Sequence, residues 1–390
     1  MRRFLIGLAG GFVLGYVGFR AVQTLADLRN PFPPLSADPK TYGRLRRRLM
    51  LCGIVRSLAE LGAAAYGPGV ALAPRDGGPE ARPRRIALLG GALLLSSLLE
   101  LSVAYMEGHV LERRYGLSKQ DARAWGIDQA KALGLSLAIA LPLLESLASV
   151  IERAPRNWPW LATAGTMPLL IVANVIAPNL IAPLFNTFEP IDGSLERRLR
   201  QLASRYDAGD ATILRVDMSR QTEKANAYVT GLFGSKRIVI GDTLLVHFEE
   251  PEIAFVVAHE LGHFVSGDVW RSVAAGTGAA ALVFFGASTI ADRRQQSLAS
   301  AAGLGRFFFA ASLIALAVGP AMAYFSRARE RAADRFALES THDPQSGIDA
   351  FRRLRDRNLA EEEPPLWMEV LFASHPSLRR RIETLERSKG

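Results

Sequence analysis

The sequence predicts a mainly α-helical, polytopic membrane protein: seven transmembrane helices, with a small β-hairpin or sheet in a polar region between the fifth and the sixth. Three observations carry this expectation. Hydrophobic residues make up 49% of the 390 residues although 22% are charged, so the two classes must be segregated. The apolar residues are gathered in runs that match, or nearly match, the thickness of a bilayer. One polar stretch shows the short alternating runs and glycine-bounded turn of a β-hairpin.

The runs follow in order. Phe4 to Phe19 lies between Arg3 and Arg20. Arg2-Arg3 also resembles the basic start of a signal peptide, but no small-residue cleavage site follows Phe19, which favours a retained span. Met50 to Ala73 carries Arg56 and Glu60, Ile86 to Met106 carries Glu100, and Leu133 to Ile151 carries Glu145. Trp160 to Phe185 is broken by Pro168, Pro178 and Pro183. Ser272 to Ile290 and Phe307 to Phe325 complete the set. Charges within spans have two readings, a polar interior or pairing within a helix bundle. Asn157 to Trp160 reads as an interfacial aromatic anchor.

The chain divides into residues 1–185 with five spans, a polar segment 186–270, two spans in 271–325, and a helical tail 326–390. The lone cysteine, Cys52, excludes intrachain disulfides and cysteine-rich metal sites. A net charge of +9 fits a basic cytoplasmic face against anionic lipid better than a nucleic-acid partner. The arginine-rich polar segment and tail fall on one side, and that side is placed in the cytoplasm.

Within the polar segment, Ala211 to Val216, Asn226 to Thr230 and Arg237 to Ile240 read as strands, the last two joined by Gly231-Leu232-Phe233-Gly234. Asp242 reads as the cap of a following helix. An exposed edge strand can pair with an extended peptide; a purely structural hairpin fits the same pattern.

His259-Glu260-Leu261-Gly262-His263 decides the chemistry. Histidine is scarce, six in 390 residues, so a chance H-E-x-x-H is rare. Residues four apart on a helix lie about 40° apart around its axis, so both imidazoles leave one face and grip one metal ion. The glutamate beside the first histidine holds a water against that ion. Apolar residues Ile253 to Ala258 precede the pentad and Pro251 suits a first helical turn, so the helix is a buried one that could run on into the sixth span.

Two histidines are too few for a catalytic zinc, which takes three protein ligands and a water. Glu330, directly after the seventh span, is the leading third ligand. Asp334, one turn on, is placed to accept a hydrogen bond from a ligating imidazole; a surface charge cluster is the competing reading. His375, in Ser374-His375-Pro376, is a candidate donor to the oxyanion of a tetrahedral intermediate, and Arg381 is a candidate for the same role or for binding substrate carbonyls. His109, His247 and His342 have no evident partners and read as structural.

These residues together resemble the type I CAAX prenyl endopeptidases, integral-membrane zinc proteases of gluzincin type. Further likeness lies in Arg114-Tyr115-Gly116-Leu117-Ser118-Lys119-Gln120, Pro183-Leu184-Phe185-Asn186, Asn226-Ala227-Tyr228 and the segment from Lys236 to Leu245. The resemblance covers the chain from about Arg113 onward; the catalytic motifs alone are shared with HtpX-type quality-control proteases. It implies a seven-helix barrel around a water-filled chamber. It also implies one Zn2+ on His259, His263 and Glu330, with Glu260 as general base, Asp334 in support, Asn226 and Ala227 on the substrate strand, and His375 and Arg381 at the intermediate or the peptide. The implied partners are the bilayer and a peptide or protein substrate, lipidated or not. The Ala/Arg-rich composition looks bacterial, which points to an inner membrane and leaves the physiological substrate open. Two rivals remain. A site-2-type intramembrane protease needs a later Asn/Pro/Asp-Gly motif, whereas Asn186, Pro190 and Asp192-Gly193 precede the pentad. A non-enzymatic membrane protein would hold no metal.

Overall fold

The computed structural model describes residues 37–67, 81–231, 236–292 and 298–389. Among these residues six helices are long and apolar enough to cross a membrane: Pro39–Tyr66, Arg82–Arg114, Ala122–Arg153, Trp158–Leu184, Asp268–Thr289 and Ala301–Thr341. The run from Phe4 to Phe19 lies outside the described residues, and with it the count of seven.

Helix α1 (Pro39–Tyr66) begins well before the apolar run at Met50. Asp38 caps it, accepting from the backbone N–H groups of Lys40 and Thr41 at 3.1 and 3.0 Å, and Pro39 suits the first turn. Helix α2 (Arg82–Tyr105) continues through a π-turn, Met106–Leu111, as far as Arg114. Helices α3 (Ala122–Arg153) and α4 (Trp158–Ile176) follow. Of the expected aromatic anchor, Trp160 is exposed, whereas Trp158 is buried edge-on against Phe284 and Phe307. It packs between helices instead of facing an interface.

The charges in these helices pair with one another. Arg56 binds Glu60 at 2.6 Å and Glu100 at 3.4 Å, and the Ser96 hydroxyl donates to Glu60 at 2.8 Å, so α1 and α2 satisfy each other's polar groups. Arg85, fully buried, is held by both oxygens of Glu145 at 3.0 and 2.6 Å and by Glu152.

The polar segment forms a mixed four-stranded sheet. β1 (Phe188–Pro190) pairs antiparallel with β2 (Thr212–Val216), separated in sequence by helix α5 (Ser194–Ser204). β3 (Ala227–Thr230) and β4 (Arg237–Gly241) form the expected antiparallel pair, and β4 also pairs parallel with β2. The order β1-β2-β4-β3 leaves β3 at an edge. β1 escaped the sequence because it is three residues long and ends in proline. Asp242 opens helix α6 (Asp242–His247) as its first residue rather than its cap; its carboxylate accepts from the Ser219 N–H at 2.9 Å and from the Ser219 hydroxyl.

Helix α7 (Glu250–Val265) carries the pentad. Glu249 and Glu252 form a capping box across its start, and Pro251 sits in the first turn. It does not run on into the membrane. Gly267, at φ +67°, takes the left-handed conformation that glycine adopts without penalty, and a separate helix α8 (Asp268–Asp292) starts after it. By contrast, the seventh apolar run and the start of the tail are one unbroken helix, α9 (Ala301–Thr341), capped by the Ser300 hydroxyl. Glu330 lies ~44 Å along α9 from its start at 1.5 Å per residue.

Helices α10 (Pro344–Asn358), α11 (Leu366–Leu371) and α12 (Leu378–Arg387) complete the chain. The tail and the polar segment share one core: Leu199, Ile238, Ile240, Phe255 and Leu261 pack with Ala337, Ile348 and Leu385. The protease body is therefore assembled from both sides of the two spans that separate them in sequence.

Within it α7 lies close against α9. A Cβ at Gly262 would sit 3.1 Å from the Ala333 Cα and 3.1 Å from the Phe336 ring. A Gly262→Val variant is expected to force the helices apart and to cost ~1–3 kcal/mol by overpacking. Thermal unfolding in detergent or nanodiscs measures this as a lowered Tm.

Candidate metal centre

Three side chains from α7 and α9 meet at one point. His259 and His263 present their Nε2 atoms 3.2 Å apart. Glu330 brings Oε2 to 3.3 Å from His259 Nε2 and Oε1 to 3.3 Å from His263 Nε2. One donor atom from each of the three residues falls within 4.8 Å of the others. Helical periodicity supplies the histidine pair, and the close approach at Gly262 supplies the carboxylate.

The outward nitrogens are held as firmly. His259 Nδ1 lies 2.9 Å from Asp334 Oδ1, and His263 Nδ1 lies 2.8 Å from Asp268 Oδ2. A carboxylate on Nδ1 fixes the tautomer that leaves Nε2 as a free lone pair. Asp334 is in turn gripped by Arg381, whose Nε and Nη2 donate at 2.9 and 2.6 Å. Asp268 is braced by Arg271 at 3.4 Å, and Arg329 donates to its backbone carbonyl at 3.3 Å and to Ser272 at 2.7 Å.

The donor set fits a zinc-type cation. Glu330 Oε2 is buried and has no hydrogen-bond partner, so a strong acceptor is left over at the point where the two Nε2 atoms converge. The surroundings favour positive charge. Burial opposes protonation of His259, yet the carboxylates of Asp334 and Glu330 beside it outweigh that and raise it to about 9. Two imidazoles and one carboxylate are a ligand set that catalytic zinc uses. Glu260 is partly buried beside His259, and burial pushes its carboxyl above the ordinary carboxylate range.

His375 reaches the rim of this cluster: Nε2 is 3.3 Å from Glu330 Oε1, while Nδ1 meets the Ser374 hydroxyl at 2.7 Å. Its side chain is 59% exposed, so the cluster opens on that side. Arg381 is held against Asp334. It is 10% exposed, stacks 4.1 Å from the Phe351 ring centroid, and spends its donors on Asp334. Asn226 is exposed immediately before β3, its carbonyl accepting from Gly241 N–H at 2.9 Å, and Ala227 is buried as the first residue of that strand. The sequence reading missed Asp268. Its only signal was an acid directly after Gly267, which reads equally well as an ordinary helix start. The other histidines are accounted for without a metal. His109 stacks on Tyr105, His247 meets Arg357 at 2.8 Å, and His342 ends α9 at φ +51°.

Comparison with known proteins agrees with this geometry. Residues 191–389 match the model for peptidase family M48, which takes in every residue of the cluster. The chain belongs to peptidase family M48. Residues 73–187 match a second model, the CAAX prenyl protease N-terminal region with five membrane helices. An Arabidopsis thaliana protein named CAAX prenyl protease 1 homolog is 31% identical over 316 residues, 77% of this chain and 73% of its own length. A Bacillus subtilis protein named uncharacterized metalloprotease YhfN is 29% identical over 307 residues, 76% of this chain and 72% of its own. The crystal structure of Saccharomyces mikatae Ste24p shares the fold, with a TM-score of 0.79 over 98% of this chain and 99% of that one at 24% identity. The protein is thus an integral-membrane metalloendopeptidase, with a mainly helical, Ste24p-like architecture and a small sheet.

The two buttressing aspartates make a quantitative expectation. Asp268→Ala frees His263 Nδ1 and is expected to weaken metal affinity 10–100-fold, the usual effect of losing a carboxylate behind a ligating histidine. Competition with a chelator of known affinity measures it. Unchanged affinity would remove Asp268 from the site.

Proposed function

We propose that His259, His263 and Glu330 hold one zinc ion and that the protein hydrolyses peptide bonds there. The orphaned Glu330 Oε2, aimed at the converging Nε2 atoms, is the observation that carries this reading. Zinc bound by this set supplies Lewis acidity to the water and carbonyl of an amide hydrolysis.

The rest is done by the chain. Glu260, adjacent to His259 and raised above an ordinary carboxylate, takes the proton of the attacking water and passes it to the leaving amine. His375, exposed at the rim, donates from Nε2 to the carbonyl oxygen as charge develops on it. Asp334, Asp268 and Arg381 are positioning residues: they fix the imidazoles and do not meet the peptide. β3 packs beside α7 with an open edge, so an extended peptide added to it runs past the metal ligands. Asn226 and Ala227 begin that strand. The substrate is an extended peptide segment of the kind processed by proteins named CAAX prenyl proteases, and we place the site on the cytoplasmic face of a bacterial inner membrane. The arginine-rich polar segment and tail support that orientation.

Glu260→Gln is expected to lower kcat/KM by about 10²–10⁴-fold, the range for losing a general acid-base. Metal content should stay at the level of the unaltered protein. Undiminished hydrolysis in that variant would overturn the mechanism. A panel of prenylated and unprenylated peptides, each with and without chelator, then fixes the substrate class. Cleavage of prenylated peptides alone supports the CAAX-type assignment. Chelator-sensitive cleavage of both identifies a broader membrane peptidase of the quality-control kind.

A further inference from the structure

The chain entering β3 is held from the membrane helices. Lys224 stands three residues before β3, and its ammonium lies 2.7 Å from Glu112 Oε2, at the end of the α2 segment, and 2.9 Å from the Tyr42 hydroxyl on α1. The Tyr42 hydroxyl also donates to Glu112 Oε1, closing a three-membered network. The network is enclosed: Tyr42 is 2% exposed, and the Glu112 and Lys224 side chains are 12% and 26% exposed. Tyr115 packs on the Tyr42 ring at 5.1 Å.

The neighbouring backbone is pinned with equal care. Glu223 N–H donates to the Leu117 carbonyl at 2.8 Å, and the Ser118 hydroxyl donates to the Gln221 carbonyl at 2.7 Å. The Lys224 carbonyl accepts from the Thr243 hydroxyl at 2.9 Å. Asn358 reads both backbone groups of Ala225, accepting at 2.9 Å and donating at 3.3 Å. Gln221, Glu223, Lys224 and Ala225 are thereby each fixed to another element, as is Thr222, whose hydroxyl donates to the Leu117 carbonyl at 3.1 Å, and the next residue is Asn226.

A partly buried lysine-glutamate pair is a poor means of gaining stability, because desolvation offsets much of its attraction. What it supplies is a single geometry, as ion pairs and polar contacts that set register do. We propose that Lys224, anchored by Glu112 and Tyr42, is a positioning residue that sets the register of β3 and so selects which peptide bond is presented to the metal centre. This rests on the reading of β3 as the substrate strand. It gives the membrane helices a part in cleavage-site choice: α1 and the end of α2 hold the strand that the peptide pairs with.

The test maps cleavage sites by mass spectrometry on one long peptide, with KM, kcat and metal content measured in parallel. Lys224→Met is expected to raise KM about tenfold, the scale of one lost charged hydrogen bond. It is also expected to yield a second cut two residues from the first, since a two-residue slip keeps the same side chains facing the sheet. Metal content should be unchanged and Lys224→Arg should restore the single cut. Tyr42→Phe, which deletes one hydroxyl and keeps the ring, is the milder variant and decides the matter if Lys224→Met loses its metal. It should give the same second cut in smaller yield. A single unshifted cut and an unchanged KM in Tyr42→Phe and in metal-loaded Lys224→Met overturn the proposal. Peptides N-methylated at successive amides separate this from the underlying reading. If methylation never impairs cleavage, β3 is not the substrate strand. If methylation impairs it and the variants do not alter the cut, Lys224 alone is wrong.

Discussion

The close approach of α7 and α9 is the constraint on which the molecule depends. A ligand pair on one helix is cheap, because four-residue spacing puts two imidazoles on one face wherever the helix is. A third ligand needs a second helix at a distance fixed to a few tenths of an ångström. Gly262 lets the Ala333 backbone come that near, and Glu330, one turn before Ala333, then meets both Nε2 atoms. Since α9 is one continuous helix from Ala301, the same contact ties the metal centre to the membrane. The break at Gly267 has the opposite task. It ends α7, and Asp268, the first residue of α8, meets His263 across the turn.

The electrostatic plan follows. Each histidine is flanked by Glu330 on the inside and an aspartate on the outside, and each aspartate has an arginine at its back or side. The inner acceptors converge with no proton donor between them, which a cation satisfies. Arg381 on Asp334, and Arg271 and Arg329 on Asp268, hold the outer aspartates in place against the imidazole Nδ1 atoms. Arg381 illustrates the difference between residue type and placement. By type it suits an oxyanion or a peptide carbonyl; in place it is buried on Phe351 and bidentate to Asp334.

Much of this was legible in the sequence. The pentad, Glu330 and Asp334 lie at spacings that helix geometry converts directly into faces, and the apolar runs mark most of the membrane helices. Four features escaped it. The merging of residues 195–261 with 337–385 into one core depends on helices that bring distant segments together. Asp268 acts only because Gly267 turns the chain, and one glycine does not reveal its φ. The start of α1 lies among arginines, where hydropathy fails and the Asp38-Pro39 cap decides instead. The strand β1 has three residues and takes its conformation wholly from β2.

Segments that set this chain apart from a generic H-E-x-x-H protein cluster around one place. Leu117, Ser118, Phe185 and Thr243 contact the loop before β3, and Tyr115 packs on the Tyr42 ring whose hydroxyl meets Lys224. The metal centre needs only two helices, and many proteins could supply them. Presenting one bond of an extended chain to that centre needs a strand whose position is fixed independently of the helices that carry the ligands. A strand four residues long cannot fix itself, because each end frays and its register is set by few contacts. The contacts of Lys224 with Glu112 and Tyr42 tie the chain just before β3 to the membrane helices, and under the proposed reading of β3 they would place the reference point for cleavage there rather than in the protease core.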